Sequence, residues 1–430
     1  MKYTLERTAL FAAVFAAFAS CLYSAEKYNP SAYKTWGNAN YDESKIKPYT
    51  LPDIFTAPDG RKIETPLDWK NIARPQIRRF AETEFYGEVL PRPKSLTFSI
   101  LSESEVFAGK ATMRQVLAKA ADINGEKTFE ILLFVPKAQK PKGAFVCLNY
   151  KGNHTTSTID TINISKVWTM SAKKTNRADE NPRGLAKARW PFEEIISRGY
   201  AIATTHYENF YPDDRLNDRR KDSIYAIFDK NASPHGQATV AWAWGLQRVL
   251  DYIETCPELD KTRVFAVGHS RNARAALCAA IFDERFAMCA ISGAGRVGCT
   301  LSRRNIGEPL YHITHQFPHW FSPKLQTYDQ KFDTMPIDQH QILALMAPRP
   351  ICVLSKTKDR WADPKGELMS LVEASKVYKL FGAKKLPTMD NFKVDAPFIG
   401  QVGYQYLEGV HNITAKDWKF LCDFADEYFK

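Results

Sequence analysis

Apolar positions come in two spacings along this chain, and their alternation predicts the architecture. Residues 67–86 carry apolar side chains at helical spacing and predict a helix. Strand-like runs follow at 96–101, 113–121 and 129–135, and 137–142 reads as a turn. Residues 144–148 are apolar without interruption, the pattern of a strand covered on both faces. That run opens into a polar loop, Asn149-Tyr150-Lys151-Gly152-Asn153-His154. From there strand and helix patterns alternate. Helices are expected at 191–197, Ala238–Ile253, 273–282, 364–381 and 414–429, and strands at 200–204, 264–267, 288–292 and 351–354. Such alternation predicts an α/β fold, a mainly parallel sheet sandwiched by helices.

Two stretches break the rhythm. Residues 155–187 and 295–338 are polar and irregular and read as loop insertions over one end of the sheet. Residues 26–66 are polar, aromatic and Pro-rich and are expected to wrap the surface as an N-terminal extension. The first 24 residues differ again. Lys2 and Arg7 precede an apolar run at 9–22, and small residues follow at Ser24 and Ala25. This is the pattern of a secretory signal peptide, with an apolar run too short for a membrane span. It predicts a secreted or periplasmic protein whose residues 25–430 form a single catalytic domain. Cys21, after Phe18-Ala19-Ser20, offers a second reading as a lipid-anchored cysteine. No later segment is long and apolar enough to cross a membrane.

The chain has 430 residues, 44% hydrophobic and 25% charged, the composition of a globular protein. Lys and Arg outnumber Asp and Glu by 59 to 48, a net charge of +11. That excess suits an acidic partner, a polyanionic glycan, nucleic acid or an anionic surface, though taken alone it reads first as a device for solubility. The basic residues are scattered, with no dense run interleaved with aromatics, which argues against nucleic acid. After Cys21 seven cysteines remain, an odd number unsuited to a complete disulfide framework. Cys147 and Cys352 sit inside apolar runs, so buried free thiols are expected. No CxxC pair suggests zinc.

The sharpest local signal is Arg263-Val-Phe-Ala-Val-Gly-His-Ser-Arg-Asn-Ala-Arg274. An apolar strand runs into Gly268-x-Ser270, and a small-residue helix follows at once, the context of a nucleophile elbow in an α/β-hydrolase fold. Gly268 leaves room for the turn, Ser270 stands at its tip, and the backbone N–H of Arg271 faces a developing oxyanion. Asn272 replaces a second Gly and tolerates unusual backbone angles. In this fold the acid and then the histidine follow the serine. His411 lies late enough, in a loop before a helix that Thr414 and Asp417 cap. After the strand at 351–354 stand Asp359 and Asp363. Asp363 precedes Pro364 and suits a helix N-cap, so Asp359 is the expected acid. His312, His315 and His319 have spacings that could serve a metal, but Pro318 interrupts any helix there and no carboxylate or Cys accompanies them. They read as packed loop histidines, and the scheme calls for neither metal nor cofactor.

With these residues in hand, the chain from about Tyr41 to Trp418 resembles carbohydrate esterase family 15, the glucuronoyl esterases, in its bacterial branch. The family motif Gly-x-Ser-Arg-x-Gly-Lys is matched by Gly268-His-Ser-Arg-Asn-Ala-Arg274. Further matches are Gly152-Asn-His-Thr155, Trp190-Pro191, Ser292-Gly-Ala-Gly295, Leu301-Ser-Arg-Arg304, Phe317-Pro-His-Trp-Phe321 and Trp361-Ala-Asp-Pro364. The resemblance implies a serine esterase acting on the glucuronic acid carboxyl of plant cell-wall polysaccharide, or its ester with lignin. It implies that Arg271 helps stabilise the oxyanion and that Glu308, Trp361 and Arg274, in place of the family Lys, contact the uronate. Three departures from the pattern stand out: Ala273-Arg274 for Gly-Lys, Arg296 for a Gly, and Ile291 where many relatives carry a Glu acid. Rival expectations are an esterase for another acylated sugar or small ester, and a silent glycan-binding relative.

Overall fold

Strands β1 (Ser95–Val106), β2 (Ala111–Asp122), β3 (Gly125–Pro136), β4 (Ala144–Asn149), β5 (Ala201–His206), β6 (Val264–His269), β7 (Phe286–Ser292), β8 (Ile351–Lys356) and β9 (Val402–Leu407) form one sheet, in the order β1-β2-β3-β5-β4-β6-β7-β8-β9. They belong to a computed structural model that describes residues 39–172, 174–228, 237–329 and 331–429. The expected leader at 1–24 and the alternative anchor at Cys21 lie outside the described residues. β1 to β3 form an antiparallel meander that joins β5 antiparallel, and from β5 to β9 every neighbouring pair is parallel.

Strands apolar throughout are buried on both faces. Every residue of β4, β6 and β8 is buried, and alternate side chains feed two separate cores. Ala144 and Val146 of β4 enter one core with Val264 and Ala266 of β6, while Phe145, Cys147, Phe265 and Val267 enter the other. The period-2 geometry of a strand makes this division automatic.

The helices divide likewise. A helical run, α1, spans 66–86 and contains two π-helical stretches, Trp69–Ala73 and Ala81–Tyr86. Helices α2 (Phe192–Ser197), α3 (Ala238–Ile253), α4 (Arg271–Phe282), α5 (Leu310–Gln316), α6 (Gln339–Ala344), α7 (Pro364–Leu380) and α8 (Ala415–Tyr428) follow. α3, α4, α6 and α7 line the first core with α1, while α2 and α8 cover the second. All 16 residues of α3 are buried, its charged Arg248 and Asp251 as an ion pair at 2.6 Å.

Several expectations need correction. β9 was not expected, and it forms the final edge of the sheet beside β8. Gly403 interrupts its apolar pattern, yet a Cβ there would stand 2.6 Å from the Phe424 ring, so α8 can pack only on a glycine. α5 lies inside the stretch read as irregular, and α6 begins just beyond it. Both are six or seven residues long, too short for periodicity to register. Within the described part of the N-terminal extension, residues 40 and 41 meet the strand-end loops, where Asn40 O accepts from Gly307 N–H at 2.9 Å and Arg360 donates to Tyr41 O at 2.6 Å, whereas Ile54, Ala57 and Ile63 do not stay on the surface and are buried in the first core. The seven cysteines after Cys21 are buried and free. Among the described residues no helix is long and apolar enough to cross a membrane.

β4 sits between β5 and β6, so chain order reverses at the β4/β6 pair. Loops leave this pair in opposite directions and open a crevice at the carboxyl ends of the strands, the usual ligand site of open α/β sheets.

Candidate active site

β6 ends at His269 and α4 begins at Arg271, so Ser270 must turn the chain alone. It does so at φ 56° and ψ −129°, a conformation that costs a non-glycine residue on the order of 1–3 kcal/mol. The turn is held from outside: Ser270 N–H donates to Ser292 O at 2.8 Å. Gly268 is obligatory, because a Cβ there would lie 2.1 Å from Asn272 O. The role expected of Asn272 is corrected. Its backbone is ordinary α4 helix, and the strain falls on Ser270; its side chain instead donates to Leu148 O at 3.2 Å, tying α4 to β4. First-turn N–H groups of a helix lack intrahelical acceptors, so the start of α4 presents donors beside Ser270.

His411 arrives in the loop between β9 and α8, and Asp359 at the end of β8. His411 Nδ1 lies 2.6 Å from Asp359 Oδ2, and Asp359 is buried while His411 is 40% exposed. That contact fixes which ring nitrogen faces the acid and leaves Nε2 at the opposite edge. Gly293, at φ 53°, is the hinge between this pair and the serine turn. A Cβ on it would come within 2.9 Å of Asp359 Oδ2 and 3.2 Å of His411 Nδ1, while its neighbour Ser292 holds Ser270 N–H. The His269 ring lies 4.5 Å from that of His411. Burial pushes the His269 pKa well down, and His411 and Arg189 add to the effect, so His269 is neutral. Ile291 is buried within β7 and offers no carboxylate.

Asp363 is where the capping argument put it. Its carboxylate accepts from Gly366 N–H at 3.1 Å at the start of α7 and pairs with buried Arg304 at 2.9 Å. It makes no contact with His411 among the hydrogen bonds and ion pairs of the described residues.

Arg271 and Arg274 leave the same helix and meet different carboxylates. Arg271 pairs with Asp213 and lies over the Trp320 ring at 4.7 Å and the Phe317 ring at 5.6 Å. Asp213 is fully buried and also accepts from His319 Nε2 at 2.8 Å, Trp320 Nε1 at 2.7 Å and Tyr207 Oη at 3.1 Å. Burial alone would raise its pKa; Arg271, His319 and Trp320 outweigh that and hold it well below the usual carboxylate range. Arg274 donates to Glu308 Oε2 at 2.5 Å, both side chains being about 6% exposed. Glu308 N–H donates to Trp361 O at 2.8 Å, which brings Arg274, Glu308 and Trp361 together. Arg296, in place of a family Gly, is wholly buried and donates to Ser302 O at 2.8 Å and Ile306 O at 3.3 Å, bracing the loop that carries Glu308.

The histidine cluster resolves differently from the expectation. His312 and His315 lie on α5, not in a loop, and carboxylates do accompany the set: Asp213 at His319 and Asp329 at His315, 3.2 Å away. His312 packs edge-on to Trp361. The three face different partners, and among the described residues no group of three or more His, Cys, Asp or Glu could hold a metal ion.

Three residues escaped the sequence reading. Asp213 stands next to Asp214 in sequence, and nothing local separates the buried one from its neighbour. Tyr150 donates to His269 O from across the β4/β6 crevice. Glu367, on α7, accepts from Gly295 N–H at 3.2 Å, Cys299 Sγ at 3.0 Å and Ser355 Oγ at 2.5 Å. Burial raises its pKa to about 8.

A family model for fungal glucuronyl esterases matches residues 141–382. A carbohydrate esterase from an unknown prokaryotic organism is 33% identical over 412 residues, 93% of this chain and 94% of that protein. Among solved structures, a promiscuous family 15 esterase from a marine bacterial metagenome superimposes with a TM-score of 0.83 at 33% identity, covering 91% of this chain and 100% of that one. A glucuronoyl esterase from Solibacter usitatus gives 0.82 at 34% identity, covering 90% and 99%. The sheet, the serine turn and these neighbours define an α/β-hydrolase that is a carboxylic ester hydrolase. Within that class the chain belongs to the glucuronoyl esterase family, carbohydrate esterase family 15.

Proposed function

We propose that this enzyme is a secreted serine esterase that hydrolyses esters of the glucuronic acid carboxyl group, of the kind that joins glucuronoxylan to lignin. The observation that carries the chemistry is the 2.6 Å contact of His411 Nδ1 with Asp359, set across Gly293 from the strained Ser270 turn. In this reading His411 Nε2 takes the Ser270 proton as Oγ attacks the ester carbonyl carbon. The tetrahedral oxyanion forms against the first N–H groups of α4 and the Arg271 guanidinium, which Asp213 and the aromatic rings hold in advance. Collapse breaks the carbonyl–alkoxy bond, and the alcohol leaves with the proton held on His411. Water then gives its proton to His411 and attacks the glucuronoyl-Ser270 ester, releasing the uronic acid and restoring the serine. Asp359 stabilises the imidazolium and its tautomer throughout.

The sugar is the acyl part, so it stays attached to Ser270 through both steps. Arg274, Glu308 and Trp361 support the uronate reading: a buried Arg–carboxylate pair leaves acceptor and donor valences aimed in fixed directions, suited to ring hydroxyls. Measuring kcat/KM for benzyl glucuronate and for acetylated xylose, on wild type and Glu308→Gln, tests it. The uronate ester should be preferred, and the variant should lose it while sparing p-nitrophenyl acetate. A preference for the acetyl ester, or equal loss on both substrates, would refute it.

A further inference from the structure

Beneath the loop that follows β4 lies a pocket of about 220 Å³ whose open space takes no part in the esterase reading, although Tyr150, Gly268 and His269 in its lining also support the Ser270 turn. Gly268 and His269, at the carboxyl end of β6, are part of its lining. Cys147, Val267, Ile413 and Trp418 in its walls belong to the core beneath α8, so the pocket lies on the face of the sheet opposite α4, which carries Arg271 and Arg274. Leu185 and Trp190 also line it, and Leu185 is 50% exposed, so the pocket reaches solvent. An engineered apolar cavity of about 150 Å³ holds benzene. This volume therefore takes one aromatic ring and a short arm, with Tyr150, Trp190 and Trp418 available for ring contacts.

The polar content of the pocket is one-sided. Lys151 and Arg189 both line it, and neither forms an ion pair with a carboxylate among the described residues. Arg189 lies over the Tyr150 ring at 5.8 Å, and its backbone carbonyl is fixed by Trp418 Nε1 at 2.9 Å. Burial and repulsion from Arg189 hold the Lys151 pKa below its ordinary value, the state of a cation without a counter-charge. Most other basic side chains close to this end of the sheet are neutralised: Arg271 by Asp213, Arg274 by Glu308, Lys356 by Asp417 and Arg304 by Asp363. Two cations left unmatched at an apolar, aromatic pocket specify an amphipathic anion.

We infer that this pocket binds a small aromatic monocarboxylate, its ring between Trp190, Trp418 and Ile413 and its carboxylate on Lys151 and Arg189. The site is separate from the uronate contacts and does not depend on the esterase reading.

Calorimetric titration with trans-cinnamate tests this directly, with cinnamyl alcohol as the neutral counterpart. Wild type should bind cinnamate saturably with one site per chain and the alcohol at least about tenfold more weakly, since a charge-assisted contact is worth that much. The double variant Lys151→Gln, Arg189→Gln should lose about tenfold or more in cinnamate affinity and little for the alcohol. Leu185→Trp, which narrows the pocket and leaves both charges, should weaken both ligands. Far-UV circular dichroism identical to wild type would show that each variant is folded. Absence of saturable binding, equal affinity for acid and alcohol, or cinnamate binding untouched by these variants would each overturn the assignment.

Discussion

The two ends of the sheet are built by different rules. β1 buries none of its residues, whereas β4, β6 and β8 bury all of theirs. The antiparallel meander needs only short turns, so its strand ends point alternately to both edges. Each parallel strand must be reached by a crossover, so all of them deliver their carboxyl ends to one edge. Every candidate residue follows from that edge: Ser270 after β6, Glu308 in the loops after β7, Asp359 and Trp361 after β8, and His411 after β9. The meander extends the sheet and covers it but brings no chemistry to the crevice. Substitutions at the parallel edge should therefore act on turnover, those at the buried positions of β2 and β3 on stability, and those on the exposed strand β1 on almost nothing.

Ser270→Ala should have the largest effect, a loss in kcat of about a thousandfold or more with an unchanged fold. Residual turnover above that level would place the nucleophile elsewhere.

The next sharpening sets two carboxylates of one loop against each other. Asp359→Asn should lower kcat by about a hundredfold or more, because His411 loses the acceptor that fixes its tautomer. Asp363→Asn should leave kcat within a fewfold and cost stability, by roughly 3 kcal/mol, since it strips buried Arg304 of its buried carboxylate and leaves it only the half-exposed Glu43. Kinetics and denaturant melts on both variants separate the two; the reverse ranking in kcat would exchange their roles.

Glu367 adds a pH signature to the same edge. Its folded pKa, about 8, lies above the ordinary 4.5. Between those values the unfolded chain has released a proton that the folded chain retains, so the stability tied to this group is full below the lower value and falls as pH rises through the upper one. Glu367→Gln escapes that loss. Its Tm relative to wild type should climb from pH 5 to pH 8; parallel Tm curves would contradict a protonated Glu367.

Smallest of all should be Ile100→Thr on β1. Ile100 is 58% exposed, so the change should stay within about 0.5 kcal/mol and leave kcat/KM unaltered. A measurable loss of activity would mean that the meander is coupled to the crevice.

The same contrast explains what was legible in the sequence. β4, β6 and β8 read clearly because burial on both faces demands unbroken apolar runs. The predicted β1 stopped at 101 because its continuation, Ser102 to Glu105, is polar and exposed. The serine turn was legible because its requirements are local: a glycine at 268, a strand before it and a helix after it. The supports of that turn were not. Arg271 finds Asp213 across 58 residues and Tyr150 reaches His269 across 119, and such pairings leave no periodic trace. Asp363 was legible as a helix cap because capping chemistry is local, and Asp359, left without that role, stands beside His411.

The central claim is that one serine, Ser270, carries the acyl group of a uronate ester. Stepwise labelling with a fluorophosphonate, with residual turnover of benzyl glucuronate followed against label stoichiometry, tests it most directly. The account predicts a linear fall to zero at one label per chain, the label on the peptide bearing Ser270, and slow labelling in His411→Ala. Turnover that survives complete labelling, or a label on another residue that abolishes it, would contradict the account.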